Sequence, residues 1–497
     1  MLKRKVVFIM TDTQRWDMLN CYRETGLKTP CLDSLAAEGV RFRRAYTTQP
    51  VCQPARAGIF TGMYPHSCAS WANSMGISDN TKTLGQRLRD KGIHTAYIGK
   101  WHLDGSDYFG MGKCPDGWDP AYWYDMRNYL EELTDEERLN SRDVSYMKDN
   151  DYPAEKTFGR RCANKALDFL ENHGDDDFFL AVSFDEPHHP FMCPKEYVDM
   201  YKDYDFPLSP NIYYGLTGKP DSHHVWAGKS LHEDKENLDF GFRYFFACNT
   251  FIDNEIGRVV DAVKRHAPDA LIIYTSDHGD FMHSHSLFAK GPATYDEIAR
   301  VPFIIAGEGV AKSKVCEYPV SHINVAPTVM ELMGLPIPKT MEGISIIPAI
   351  KDPDVRVNDY VFIEFGRYEV DHDGFGGFQP LRGIFDGRYK LTINLLSTDE
   401  LYDMKADPYE IANLIEDPAL AETRNKLHDA LLKQMDTTRD PFRGYYWARR
   451  PWRTDAPPAT WENSRMARQR EEDEIYEKRQ LHYSTGLPME HAVRQNF

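Results

Sequence analysis

Apolar and polar residues fall into two alternating textures along this chain. Short unbroken apolar runs at residues 6–10, 95–98, 178–184, 271–274 and 301–305 have the length and the β-branched or aromatic content of buried strands. Between them, residues 32–38, 84–91, 159–172 and 252–265 carry apolar side chains at helical spacing, the last stretch stopping short of Pro268. A strand that is apolar on both faces needs cover on both sides. The alternation therefore predicts an α/β fold, a mainly parallel central sheet flanked by helices.

From about residue 355 the texture changes. Residues 360–365, 383–385 and 389–394 read as short strands separated by turns such as Asp386-Gly387, and 421–434 reads as a helix. The expected division is a main α/β domain over 1–354, a smaller C-terminal α+β subdomain over 355–440 and an extension over 441–497. That extension holds Tyr445-Tyr446-Trp447 and a charged helical stretch at 471–480. It is expected to pack on the body or at an oligomer interface, so a homo-oligomer stays open.

In parallel α/β sheets, ligands bind beyond the carboxyl ends of the strands. The first four apolar runs are followed by Thr11-Asp12, by Gly99-Lys100-Trp101-His102, by Asp185-Glu186-Pro187-His188-His189-Pro190 and by Ser276-Asp277-His278-Gly279-Asp280. Parallel topology would bring all four groups of titratable residues to one sheet edge. Asp12, Asp277 and His278 are candidate ligands for a divalent cation, because carboxylates on adjacent strand ends repel unless a metal or a proton sits between them. Hard oxygen ligands favour Ca²⁺ or Mg²⁺, and an imidazole also admits Mn²⁺ or Zn²⁺. Lys100 and His102 reach one pocket only if their segment is extended, and Lys290 is expected to fold back as a further cation. His173, His266 and His428 read as satisfied core or surface groups, and the glycine-rich 371–377 reads as a flexible loop first and a specificity loop second.

A length of 497 residues with 41% apolar content permits a large core, and a net charge of −17 argues against a nucleic-acid partner. The run at 6–10 is too short for a signal segment, and no run approaches the roughly 18 apolar residues of a membrane span. Nine cysteines without paired spacing fit a reducing compartment, so a cytoplasmic protein with no membrane contact is expected.

The stretch Cys52-Gln53-Pro54-Ala55-Arg56 adds a specific chemistry. Pro54 suits the first turn of a helix, which places Cys52 just outside its N-terminus. Free backbone N–H groups, the helix dipole and Arg56 would favour an anion there. The C-x-P-x-R pattern, followed by Thr61-Gly62, resembles the signature of type I sulfatases, whose cysteine is oxidised to formylglycine. The segments at the four strand ends, Lys290-Gly291-Pro292 with Arg300-Val301-Pro302, and Glu400-Leu401-Tyr402-Asp403 with Asp407-Pro408-Tyr409-Glu410 extend the resemblance, in the family's order, over roughly residues 5 to 415.

The resemblance implies an alkaline-phosphatase-like fold, maturation by a formylglycine-generating enzyme and a divalent metal, Ca²⁺ foremost, held by Asp12, residue 52, Asp277 and His278. It further implies a hydrated aldehyde at position 52 whose one hydroxyl attacks sulfur with help from Asp277, Arg56 and Lys100 stabilising the charge. Lys290 and His188 would bind sulfate oxygens, His188 would protonate the leaving alcohol, and His102 would deprotonate the second hydroxyl. A small sulfated saccharide is the expected substrate. Thr13 and His278 depart from the pattern of many members, and the Asp-His pair is similar to phosphonate monoester hydrolases and phosphodiesterases, the alternative reading. A non-catalytic binding protein on the same body is the third.

Overall fold

The computed structural model describes residues 4–105, 108–212, 214–228, 235–459 and 481–487, so the expected charged helix at 471–480 lies outside the described residues. The main sheet contains β1 (Lys5–Thr11), β2 (Gly39–Tyr46), β3 (His94–Gly99), β4 (Phe178–Ser183), β5 (Leu271–Ser276), β6 (Arg300–Val301), β7 (Phe303–Ala306) and β8 (Lys314–Ser321). Its order is β3-β4-β1-β5-β7-β2-β6, with β8 beside β2. The four strands of the expected site, β3, β4, β1 and β5, are adjacent and parallel.

Both faces of this sheet are buried. Val6, Phe8 and Met10 of β1 enter one core with α2 (Cys52–Thr61), α3 (Leu84–Arg89) and α6 (Val325–Leu332). Val7 and Ile9 enter the other with α1 (Pro30–Glu38), α4 (Phe158–His173) and α5 (Lys235–His266). The two-residue period of a strand feeds two layers of helix at once. α4 begins where the Thr157 side chain accepts the Arg160 N–H, and buries Phe158, Cys162, Ala166, Phe169 and Leu170 on one stripe.

The structure departs from the sequence expectation in several places. Residues 301–305 do not form one strand: Pro302 separates β6 from β7, and both run antiparallel to β2. Strands β2 and β8 were not expected. In β2 the arginines conceal the alternation, and two of them leave water for aromatic faces, Arg41 over Tyr22 at 5.1 Å and Arg44 over Phe385 at 5.8 Å. Finally, α5 begins at Lys235, well before the expected 252, and its aromatic-rich stretch from Phe242 to Phe251 is buried on several sides and shows no single apolar stripe.

A second sheet, antiparallel in the order β12-β11-β10-β9, is built from β9 (Val361–Arg367), β10 (Phe378–Phe385), β11 (Tyr389–Asn394) and β12 (Glu400–Asp403). One face packs on α7 (Ala421–Thr437) through Ile384, Leu391, Leu427 and Leu431, joined by Trp447 of the following segment. The other meets the main body through Ile363, Phe385, Tyr46 and Tyr295. A buried ionic cluster crosses the same junction: His66 Nδ1 lies 2.5 Å from Glu364, and Arg382 holds both oxygens of Asp440 at 2.5 and 3.0 Å. Residues 371–377 are the stretch read from sequence as a flexible loop. They contain a 3₁₀ turn, Val370–Phe375, closed by the Gly377 N–H donating to the His372 carbonyl. Among the described residues, no helix is long and apolar enough to cross a membrane.

Candidate active site

Strand register brings the acids together. Met10 and Gly99 both pair with Ser183, and Thr11 pairs with Ser276, so β1, β3, β4 and β5 end in one row. β3 turns out of that row at Gly99, whose φ is +118° and where a Cβ would lie 1.9 Å from the Ser183 carbonyl oxygen; only glycine fits. Lys100 then tucks beneath the row, its N–H donating to the same carbonyl. Thr13 and His102, next to the strand ends, hold φ of 68° and 55°, a left-handed backbone that such residues rarely adopt away from functional sites.

α2 supplies the other wall. Cys52 is its first residue, with Val51 as N-cap, so the helix begins at the cysteine and not just beyond it as expected. All of α2 is buried. One turn on, Arg56 donates to Asp12 at 2.9 Å, to Asp277 at 3.0 Å, to the Lys100 carbonyl at 2.6 Å and to Ser183 Oγ at 2.8 Å. A guanidinium with that many partners fixes both carboxylates rigidly.

Asp12, Cys52, Asp277 and His278 converge, with one ligand atom of each within 4.8 Å of the others, all buried. Cys52 Sγ lies 3.2 Å from His278 Nε2 and 3.7 Å from Asp12 Oδ1. His278 Nδ1 is 2.7 Å from the Gly279 carbonyl, which can only accept, so Nδ1 carries the proton and Nε2 offers a lone pair to the cluster. Thr13, expected to be a poor ligand, acts as a donor instead: its N–H reaches Asp277 Oδ1 and its hydroxyl reaches Asp12 Oδ1. Two hard oxygens, a sulfur position and an imidazole with a directed lone pair fit a divalent cation.

Across the cavity, His188 and Lys290 meet, Nζ to Nε2, at 3.1 Å. His188 Nδ1 faces the His189 carbonyl at 2.8 Å and so holds its proton there, leaving Nε2 as the atom turned to Lys290. Lys100 Nζ bonds Asp12 at 2.7 Å and Asp185 at 3.0 Å and lies 4.0 Å from Cys52 Sγ. His102 is buried, and its Nδ1 has no hydrogen-bond partner among the described residues. The structure thus gathers Asp12, Cys52, Arg56, Lys100, Asp277 and His278 in one contact network and His188 and Lys290 in a second pair beside it.

Charges in this cavity are strongly perturbed. Burial alone would raise the Asp12 carboxyl, but Lys100, His188 and Arg56 outweigh it and hold it well below the usual range. Burial and then Asp12 push Asp277 up to about 7 against the pull of His278 and Arg56. For Cys52, burial and Asp12 oppose ionisation, yet Lys100, Lys290 and His278 bring the thiol well below its ordinary value. Burial lowers His102, which favours a neutral ring.

Several residues at the site were not among the sequence candidates. Asp185 ties Lys100 to the Tyr108 hydroxyl, 2.6 Å away, and Tyr108 lies beneath the Lys100 ammonium at 3.9 Å. The Arg142 guanidinium also lies over Tyr108, at 5.6 Å. Tyr368, following β9, is half-buried and close enough to Lys290 to affect its charge. Asp185 stood in a strand-end cluster and was legible there; Tyr108, Arg142 and Tyr368 carry no local signal and arrive by tertiary folding.

With this geometry in place, the chain can be set beside known proteins. The sulfatase family model matches residues 4–335, and the model "N-sulphoglucosamine sulphohydrolase, C-terminal" matches residues 284–437. The chain is 44% identical over 495 residues to the uncharacterized sulfatase YidJ of Escherichia coli K12, covering 98% of this chain and 97% of that protein. Its fold is shared with the phosphonate monoester hydrolase of Agrobacterium radiobacter, at a TM-score of 0.73 and 22% identity over 87% of this chain and 96% of that one. It is likewise shared with a protein solved in complex with its substrate D-glucosamine-2-N,6-O-disulfate, at a TM-score of 0.72 and 20% identity over 88% and 99% of the two chains. The protein belongs to the sulfatase family, hydrolases of sulfate esters with the alkaline-phosphatase-like fold. Members of that family generally use a divalent metal and formylglycine, and the buried Asp12, Cys52, Asp277 and His278 are compatible with both.

Proposed function

We propose that this protein hydrolyses a sulfate ester on a small sulfated saccharide, using formylglycine made from Cys52 by a formylglycine-generating enzyme. The observation that carries the reading is the convergence of Asp12, Cys52, Asp277 and His278 within 4.8 Å, beneath Arg56 and Lys100. Ca²⁺ is the proposed ion at these four residues, Mg²⁺ or Mn²⁺ being the alternatives. A divalent cation there supplies Lewis-acid polarisation of the ester. Formylglycine hydrate supplies one hydroxyl to attack sulfur and a second whose deprotonation releases sulfate.

The remaining steps belong to side chains. Asp277, raised to about 7, is poised to take the proton of the attacking hydroxyl. Arg56 and Lys100 hold the nucleophile and the growing charge at residue 52, as fixed cations in a buried site. Lys290 and His188 face sulfate oxygens, and His188, when its ring is doubly protonated, delivers the Nε2 proton to the leaving alcohol. His102, kept neutral by burial, accepts the proton of the second hydroxyl. The saccharide class is supported by the disulfated glucosamine complex of a protein with this fold. Nine free cysteines support a cytoplasmic setting, and the proposed domains divide at residues 354 and 440.

Mass spectrometry of active enzyme should find formylglycine at position 52, and a panel of sulfated mono- and disaccharides should release inorganic sulfate. Active material carrying only thiol at Cys52 would end the proposal. A second reading, phosphonate monoester or phosphodiester hydrolysis, is favoured by His278 beside Asp277 and by the likeness to the Agrobacterium radiobacter enzyme. Nitrophenyl sulfate and nitrophenyl phosphonate assayed in parallel separate the two by which ester has the higher kcat/KM.

A further inference from the structure

The opposite end of the parallel strands carries a second group of ligating side chains. His94 opens β3, His173 closes α4, and Asp176 lies in the turn that leads into β4. A full strand length, roughly 20 Å, separates this end of β3 from Gly99 and Lys100.

His94 Nε2 lies 2.8 Å from Asp119 Oδ2. A carboxylate only accepts, so Nε2 holds the proton and Nδ1 keeps its lone pair. That lone pair faces Asp176 Oδ2 at 3.7 Å, too far for a hydrogen bond. The same oxygen lies 2.9 Å from His173 Nδ1. One ligand atom from each of His94, His173 and Asp176 lies within 4.8 Å of the others. In a tetrahedral site with bonds of about 2.05 Å, neighbouring ligand atoms are about 3.3 Å apart. The observed 2.9 and 3.7 Å fall on either side of that value.

The donors are also held in place without an ion. The two imidazoles stand at 89° with centroids 4.6 Å apart, and Phe169 packs against them at 5.2 and 5.1 Å. Backbone bonds fix each segment: Asp176 N–H to the His173 carbonyl at 3.0 Å, His94 N–H to the Asp177 carbonyl at 3.0 Å, and Asp119 N–H to the Thr95 carbonyl at 2.8 Å. The side chains remain open to solvent, Asp176 at 53% exposure and both histidines at above 20%. An ion can therefore enter.

We propose that His94, His173 and Asp176 form a Zn²⁺ site, with Asp119 as the outer carboxylate that orients His94 and water completing the shell. Two imidazole nitrogens with one carboxylate oxygen select a borderline ion over Ca²⁺ or Mg²⁺. On binding, the neutral His173 ring exchanges its Nδ1 proton for one at Nε2 through solvent, and the ion then joins the end of α4 to the start of β3. His173, read from sequence as a satisfied surface group, thereby gains a ligand role.

Equilibrium dialysis against Zn²⁺ alone, followed by metal analysis, tests this on the full chain. Wild type should hold one more Zn²⁺ per chain than His94→Ala or His173→Ala, and Asp119→Asn should bind 10- to 100-fold more weakly. Zn²⁺ should raise the unfolding temperature of wild type more than that of His173→Ala, whereas Ca²⁺ should affect both equally. Crystals of the unaltered protein soaked in Zn²⁺ should show an anomalous peak between His94, His173 and Asp176. Equal zinc content in wild type and His173→Ala, or no peak at that position, overturns the assignment.

Discussion

Two buried ionic clusters in this protein are built from similar residues and behave differently. At the junction with the second sheet, His66 pairs with Glu364 and Arg382 with Asp440, and Arg382 also approaches Glu364 at 4.0 Å. Burial opposes the charge on His66, but Glu364 outweighs it and raises the ring to about 9; Arg382 in turn draws Asp440 below its ordinary range. Every shift there favours the charged, paired form. At the strand ends, by contrast, Asp277 is pushed to about 7 by burial and Asp12 even though Arg56 touches it. Pairing that closes on itself holds structure together, and pairing left incomplete leaves room for a reactant or a cation.

The largest test of that contrast is at the incomplete cluster. Cys52→Ala should lower kcat by at least about 10⁴-fold while circular dichroism stays unchanged, because the nucleophile is lost and little packing goes with it. Retained turnover would remove the distinction. Lys290→Ala should cost about 10² to 10³ in kcat, the usual loss when one donor to a developing anion is deleted, again with stability preserved.

The junction cluster should show the reverse pattern. Arg382→Ala leaves Asp440 and Glu364 buried without their cation and should lower unfolding free energy by about 3–5 kcal/mol in denaturant titration, with kcat per folded molecule unchanged. The smallest effect concerns pH. The folded His66 pKa, near 9, exceeds its unfolded value of about 6.5, so its contribution is complete below about 6.5 and disappears as pH rises through 9. Wild type should therefore lose about 3 kcal/mol between pH 6.5 and 9.5 relative to His66→Gln, read from paired unfolding curves.

Much of this was legible in the sequence, for a physical reason. Strands β1, β3, β4 and β5 are apolar on both faces, so they stand out as runs, and the polar residues that follow each run mark the sheet edge where they meet. The C-x-P-x-R spacing placed Cys52 and Arg56 one helical turn apart, which is how Arg56 reaches both acids. What escaped notice lacked such contrast. β2 hides its period behind Arg41, Arg43 and Arg44; β6 and β7 read as one run because Pro302 breaks a ladder without breaking the apolar pattern. Tyr108, Arg142 and Tyr368 reach the site from segments whose local sequence has no reason to advertise it. His94 and His173 are 79 positions apart, and only the packing of α4 beside β3 makes them neighbours.

The shared row of Met10, Gly99 and Ser183 limits how such a chain can change over time. One residue inserted within β1, β3 or β4 would send each later side chain to the opposite face and scatter the acids. The 3₁₀ turn at Val370–Phe375 obeys no such rule, yet it lies just past Tyr368, the residue beside Lys290. Descendants of this chain are free to lengthen or trim that turn, and so to alter what arrives at Lys290, while the chemistry behind it stays as it is.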